Sequence, residues 1–273
     1  MFDSFQEKRK TARPKKYFGQ NFLIDKNIVR KILAESDVAG KNVLEVGPGR
    51  GALTMDLVDD AKKVVAVEKD FELAENLAAT VRDVNFKLIS GDILKVEEKE
   101  WLDFFKTKKY IVVANLPYNI TSAFLKRFLE LKNPPEEMIL MVQREVAERI
   151  IGKDGQSGVL TMSVKFYSDA EILFRVAAGC FFPAPKVESA VIRLKNIRKD
   201  KFDVSAELFF RALKSGFSSR RKLLKSNLAK GLKIPAEKIL GAFEKLKIKP
   251  TARAEELKIE KWIELIRELG QTV

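Results

Sequence analysis

Asn115-Leu116-Pro117-Tyr118 places an amide, a rigid proline and a phenol ring in four consecutive residues. The apolar run Tyr110-Ile111-Val112-Val113-Ala114 precedes it, and Asn119-Ile120-Thr121-Ser122 after it reads as a helix start. The four residues therefore fall at the carboxyl end of a buried strand, the edge where ligands bind in open α/β sheets. An amide acceptor beside an aromatic face suits holding a flat heterocycle by its face while gripping an amino group on its rim. Asn and Pro also build ordinary turns, so these residues alone leave site and turn equally open.

A second constellation lies upstream. The strand Asn42-Val43-Leu44-Glu45-Val46 runs into Gly47-Pro48-Gly49-Arg50-Gly51, with a helix expected from about Ala52 to Val58. Glycines let a ligand approach the backbone closely, and the helix start offers free N–H groups. The spacing is G-x-G-x-G, not the G-x-G-x-x-G of the dinucleotide fingerprint. The next strand, Lys63–Val67, ends in Glu68, 21 residues after Gly47. An acid so placed accepts hydrogen bonds from both hydroxyls of a ribose. A third strand, Phe86–Ile89, leads to Asp92, positioned to bond the exocyclic amine of an adenine. Glycine turn and spaced acids together point to an adenosine-containing cofactor.

Composition narrows the chemistry. The 273 residues include no histidine and one cysteine, Cys180. Ser-His-Asp and Cys-His catalysis, His-ligated zinc and zinc-dependent base deamination are excluded; no metal is expected. One cysteine cannot form an internal disulfide, and the N-terminus carries no secretory apolar region, so a cytoplasmic location is expected. No apolar run reaches the length of a membrane span. The net charge of +13 is distributed as +4 over residues 1–16, zero over 17–197 and +9 over 198–273. A neutral body with basic ends fits a protein that grips a polyanion, nucleic acid above all.

The elements that must position these residues follow from periodicity. Residues 1–16 read as a basic flexible tail. Tyr17–Leu23, with three aromatics and two amides but no period, reads as a covering loop, and Asp25 as the N-cap of a helix through Ile28, Ile32 and Leu33. Strands alternate with helices up to Met138–Val142, which predicts a doubly wound, mostly parallel sheet. Two further strands, Ala170–Val176 and Val187–Leu194, are linked by Gly179–Lys186, too short for a helix, and are expected to pair antiparallel. They bring the sheet to seven strands. Residues 198–273 show only helical periodicity, a smaller all-α domain. Arg220, Arg221, Lys222 and Lys225 are placed near a helix N-terminus, where cations oppose the helix dipole and suit phosphate better than structure.

The ordered set resembles the ribosomal RNA adenine dimethyltransferases, the family of the bacterial small-subunit enzyme, from about Lys15 to Leu265. The resemblance rests on Phe18-Gly19-Gln20-Asn21-Phe22-Leu23, Leu44-Glu45-Val46-Gly47-Pro48-Gly49, Asn115–Thr121, Val142–Arg149, Phe182-Pro183-Ala184-Pro185-Lys186-Val187, Phe217–Lys222 and Arg253–Leu257. Gln156-Ser157-Gly158-Val159 departs from a common tyrosine-glycine pair, and Leu223-Leu224 from a common threonine-leucine pair. The resemblance implies a Rossmann-like, class I fold dependent on S-adenosylmethionine as methyl donor. By position, Asn21, Leu23, Gly47, Glu68, Asp92 and Asn115 would line the donor site, Tyr118 would stack on the target adenine, and 17–197 would form the methyltransferase domain. It also implies dimethylation of two adjacent adenines near the 3′ end of small-subunit rRNA, in the biogenesis of that subunit.

For methyl transfer to an adenine amine, the Asn115 side-chain oxygen and Leu116 carbonyl are suitable acceptors, Pro117 fixes the turn, and Phe181 or Phe182 supplies the opposite ring face or else packs in the core. The adenine must be unstacked first. The related enzyme methylating large-subunit rRNA, and a non-catalytic RNA-binding assembly factor, are the alternatives; a nicotinamide oxidoreductase and a DNA adenine methyltransferase fit less well. A monomer is expected.

Overall fold

A computed structural model describes residues 13–153, 157–219 and 221–270. Most of the basic tail (1–12), Gln156 and Arg220 lie outside the described residues. In chain order the elements are β1 (Phe22–Leu23), α1 (Lys26–Ser36), β2 (Asn42–Val46), α2 (Thr54–Asp60), β3 (Lys63–Glu68), α3 (Phe71–Thr80), β4 (Phe86–Ser90) and α4 (Glu98–Phe105). There follow β5 (Ile111–Asn115), α5 (Thr121–Glu130), β6 (Glu137–Gln143), α6 (Arg144–Ile151), α7 (Val159–Tyr167), β7 (Asp169–Val176), β8 (Phe181–Phe182) and β9 (Ser189–Lys195). The last four helices are α8 (Ala206–Gly216), α9 (Leu224–Leu232), α10 (Ala236–Lys245) and α11 (Ile259–Gly270).

The chain divides into two compact units. One holds the residues up to Ala147 together with Ala170–Ile197. Its seven-stranded sheet has the order β4-β3-β2-β5-β6-β9-β7. The first five strands pair in parallel, and β9 runs antiparallel to β6. The strands β2, β3 and β5 are β-branched runs with Val43, Leu44, Val64, Val65, Val112 and Val113 fully buried, the composition of strands covered on both faces. The last two strands are neighbours, with β9 inserted between β6 and β7. The chain reverses its winding between β2 and β5, and at such a switch point the carboxyl ends of neighbouring strands open a crevice.

The stretch read as a covering loop is partly strand. Phe22 pairs with Phe182 and Leu23 with Phe181 in a two-stranded antiparallel sheet. No period revealed it, because a two-residue ladder leaves no pattern and its partner is distant in sequence.

The second unit holds Glu148–Asp169 and the residues from Arg198 onward. The sequence had assigned 148–169 to the methyltransferase domain. Aromatic packing explains the difference: the Phe166 ring stacks on Phe209 of α8 at 4.2 Å and lies edge-on to Phe210 at 5.6 Å. Around Trp262, fully buried, the helices α8 and α11 close on each other, with Phe217 stacked 5.9 Å away. Among the described residues no helix is long and apolar enough to cross a membrane.

Candidate active site

The register Val46 to Ala114 sets the ends of β2 and β5 side by side, so the glycine turn and the Asn115 turn open into one cavity. Its empty space, open mouth included, is about 1110 Å³. Asn21, Leu23, Gly47, Glu68, Asp92 and Asn115 all line it, together with Leu116, Pro117 and Tyr118. These residues are scattered over almost a hundred positions of sequence, and the fold gathers them.

The glycine turn needs glycine. Gly47 and Gly49 have φ of 66° and 57°, a region other residues rarely adopt. A Cβ on Gly49 would also sit 3.1 Å from the Phe22 ring. The turn is tied to the first acid: Gly49 N donates to Glu68 Oε2 at 3.0 Å, and Asp70 N donates to Glu68 Oε1 at 2.8 Å. Each carboxylate oxygen has a second lone pair, so Glu68 retains acceptor capacity toward the cavity. Burial pushes its carboxyl above the ordinary range, against the backbone amides of Asp70, Gly49 and Lys69.

Asp92 closes the next loop. Its Oδ1 accepts from Leu94 N at 2.9 Å and its Oδ2 from Lys69 Nζ at 2.9 Å. Desolvation raises this carboxyl, but Lys69 and the amide outweigh it and the net shift is downward, so Asp92 stays ionised. Arg127, on the helix that follows the Asn115 turn, donates to the carbonyls of Leu94 and Val96 and braces the same loop.

Asn115 Nδ2 donates to the Asn21 carbonyl at 3.2 Å. That bond uses one of the two amide N–H groups and orients the amide, so Oδ1 is the acceptor it offers. Leu116 N donates to Met141 O at 3.2 Å and Ile120 N to Pro117 O at 3.1 Å, so the turn is held at both ends. The Tyr118 hydroxyl is 2.7 Å from Ser189 Oγ; this bond fixes the ring's outer end, and burial raises the phenol's pKa.

The two phenylalanines separate. Phe181 is 3% exposed and packs in the apolar core with Leu23 and Val176. The reading of Phe181 as a stacking platform is thereby corrected: a ring enclosed by core residues offers no free face. Phe182, 52% exposed, presents one. Strand alternation is the reason, since neighbours in β8 point to opposite faces.

Glu45 escaped the sequence reading. It lines the cavity at 1% exposure, and its Oε2 has no hydrogen-bond partner. Burial pushes its carboxyl up to about 8, opposed by the Thr54 hydroxyl and reinforced by the Glu68 charge. The signal was visible: one acid flanked by Val43, Leu44 and Val46 in a buried strand, two residues before a glycine turn.

Comparison with known proteins matches this arrangement to a family. The model of the ribosomal RNA adenine dimethylases matches residues 11–271. The chain belongs to this family. A curated relative, the ribosomal RNA small subunit methyltransferase A of Dehalococcoides mccartyi strain CBDB1, is 42% identical over 261 residues, 94% of this chain and 89% of the relative. Among solved structures, the 23S rRNA methyltransferase ErmE superposes with a TM-score of 0.73 at 26% identity, covering 92% of this chain and 100% of that one. A dimethyladenosine transferase from Plasmodium falciparum superposes with a TM-score of 0.78 at 24% identity, covering 92% and 98%. As a ribosomal RNA adenine dimethylase the chain is a methyltransferase, with the class I fold.

The basic segment of this dimethylase lies in the helical unit and differs in detail from expectation. Helix α9 begins at Leu224, so Arg221 and Lys222 precede it and only Lys225 falls in its first turn. Asn227 causes the delay: its buried Nδ2 donates to Gly216 O at 2.7 Å and Ser219 O at 2.9 Å, and Lys222 N donates to Ser219 O at 3.2 Å. The chain is held in a turn before the helix can start. Arg221 and Lys222 are exposed there.

Proposed function

We propose that this protein transfers methyl groups from S-adenosylmethionine to the exocyclic amines of two adjacent adenines near the 3′ end of small-subunit rRNA, as a cytoplasmic monomer acting in assembly of that subunit. The observation that carries this reading is the meeting of the glycine turn, Glu68, Asp92 and Asn115–Tyr118 in one cavity. The cavity fits the donor chemically. Glu68 offers acceptors for ribose hydroxyls, and Asp92 an ionised acceptor for an adenine amine. Gly47, Asn21 and Leu23 supply backbone and apolar wall.

When bound, S-adenosylmethionine supplies a methyl on a sulfonium, whose displacement leaves a neutral thioether and needs no acid. The protein's task is the nucleophile, an amine whose lone pair is delocalised into the adenine ring. Asn115 Oδ1 and the Leu116 carbonyl accept hydrogen bonds from its N–H groups as positive charge develops on the nitrogen, and their fixed placement orients it. Tyr118, held by Ser189, stacks on the base, worth about 1–3 kcal/mol; Phe182, exposed and 5.7 Å from Arg50 of the cavity wall, is the second ring available. The amine's proton leaves to solvent, consistent with a chain that has no histidine. Arg221, Lys222 and Lys225 contact RNA phosphates.

Small subunits lacking the modification should accept labelled methyl from the purified protein. Mapping reverse-transcription stops then locates the product. A second reading, methylation of a large-subunit adenine, is raised by the likeness to ErmE, although the curated relative is much closer in sequence. Label confined to large-subunit RNA would establish that second reading and defeat the first.

A further inference from the structure

Residues Tyr17–Phe22 form a strap along one wall of the cavity. Three attachments hold it. Beyond its carboxyl end, Phe22 and Leu23 pair with Phe182 and Phe181. In the middle, the Asn21 carbonyl accepts from Asn115 Nδ2. Toward the amino end, Lys15 and Gln20 both bond Asp70. Lys15 Nζ lies 2.7 Å from Asp70 Oδ1 and 3.1 Å from Glu72 Oε2, and Gln20 Nε2 donates to Asp70 Oδ2 at 2.9 Å. Gln20 Oε1 accepts from Lys15 N at 2.8 Å, closing a ring.

The side chain of Asp70 is only 3% exposed, and its backbone N–H donates to Glu68 Oε1. Desolvation raises the Asp70 carboxyl, but Lys15 and Gln20 outweigh it and hold it below the ordinary range. Asp70 also caps α3, accepting from Glu72 N at 3.2 Å. A helix cap needs one acceptor. The second oxygen and the Lys15 ion pair serve the strap instead.

We infer that Lys15, Gln20 and Asp70 form a clasp that holds the strap closed over the bound methyl donor and sets the rate at which the donor leaves. They are positioning residues: none is assigned a contact with the reacting atoms. The inference rests on the reading of this cavity as the S-adenosylmethionine site. A molecule seated between the glycine turn and the strap is held in part by this wall, and it leaves faster when the strap swings out. The paired strands at Phe22 and Leu23 are its fixed end and the Asp70 clasp its free end. Opening breaks the Lys15 and Gln20 bonds to a buried carboxylate together, so the clasp acts as one unit.

The test is the dissociation rate of labelled S-adenosylmethionine from the full chain, chased with excess unlabelled donor. Lys15→Met removes the charge and keeps the length; Asp70→Asn keeps the cap and weakens both strap bonds. Each should speed release about tenfold, the equivalent of about 1.4 kcal/mol. The double variant should release scarcely faster than either single one, as expected of partners in one interaction. Lys15→Arg, which retains the pair, should stay within about twofold of the unaltered chain. Unchanged release in both Lys15→Met and Asp70→Asn, with donor binding intact in the unaltered chain, would overturn the clasp alone. Failure of the unaltered chain to bind the donor at all would overturn the reading of the cavity, and the clasp with it. Thermal unfolding of each variant separates the two roles: a purely structural ion pair would lower the melting temperature and leave release unchanged.

Discussion

Replacing Glu45 with Gln should change how the stability of the sheet unit depends on pH. The folded chain holds the Glu45 carboxyl at about 8 against an ordinary 4.5, with burial the dominant cause. A carboxyl raised on folding binds its proton more tightly in the folded state. Between about pH 4.5 and 8 the unfolded chain has released that proton and the folded chain has not. Stability therefore falls as pH rises through this window and levels off above it. Each unit of separation corresponds to about 1.36 kcal/mol, so the wild-type chain should lose about 3 kcal/mol between pH 5 and pH 8 from this group alone. Gln has the same shape and no charge to bury, and its contribution is flat. Titrating groups not coupled to Glu45 are common to both proteins and cancel in the difference; Glu68, whose charge acts on Glu45, is the exception. Urea unfolding at several pH values, followed by fluorescence, measures it. Trp101 lies in the sheet unit and Trp262 in the helical unit; with Trp262→Phe in both proteins, the signal reports the sheet unit. Parallel stability profiles for the two proteins across pH 5–8 would show that Glu45 is not held protonated by its surroundings, and would remove it as an acceptor tuned by burial in the cavity.

Asn115→Ala should lower methyl transfer about 100- to 1000-fold, the usual range for one preorganised polar group facing developing charge, while equilibrium dialysis shows S-adenosylmethionine binding reduced much less. Gly216→Ala should destabilise the helical unit by about 1–3 kcal/mol or more, because the new Cβ would sit 2.4 Å from Trp262 Cη2 and 3.0 Å from Leu224 Cδ1; differential scanning calorimetry should show the sheet unit unaffected. Replacing Arg221, Lys222 and Lys225 with Ala should weaken RNA binding and reduce the slope of log affinity against log salt by about 0.7–0.9 for each phosphate no longer neutralised; an unchanged slope would make them ordinary surface charges.

Most of the sheet unit was legible because its signals are local. A buried parallel strand is an apolar run, a glycine turn follows it, and a helix pattern follows the turn. Gly47, Glu68, Asp92 and Asn115 each stand at the end of such a strand, so the sequence located them by position within a repeat. What escaped was set by partners far along the chain. The pairing of Phe22 and Leu23 with Phe182 and Phe181 decides which phenylalanine is enclosed, and no pattern in the residues around Phe181 records it. The grouping of Glu148–Asp169 with the helices was hidden for the same reason, since it depends on Phe166 meeting Phe209. The late start of α9 depends on Asn227 reaching back to Ser219, whereas periodicity counts only apolar positions and cannot see a competing turn.

Those misses fall in a pattern that bears on mechanism. The locally encoded residues are the ones that would touch the donor and the adenine; those set by distant partners hold them in place. Asn115 has its amide nitrogen satisfied by Asn21, Glu68 has one oxygen satisfied by Asp70, and Tyr118 is fixed through Ser189. A reaction with a neutral leaving group and no required base gains from orientation and from acceptors already in place. In a chain without histidine, rate enhancement therefore has to come from how firmly these acceptors are held. Of the residues that hold them, Asn21 lies in a short motif, whereas Asp70 and Ser189 lie in none and are brought to the site by the fold.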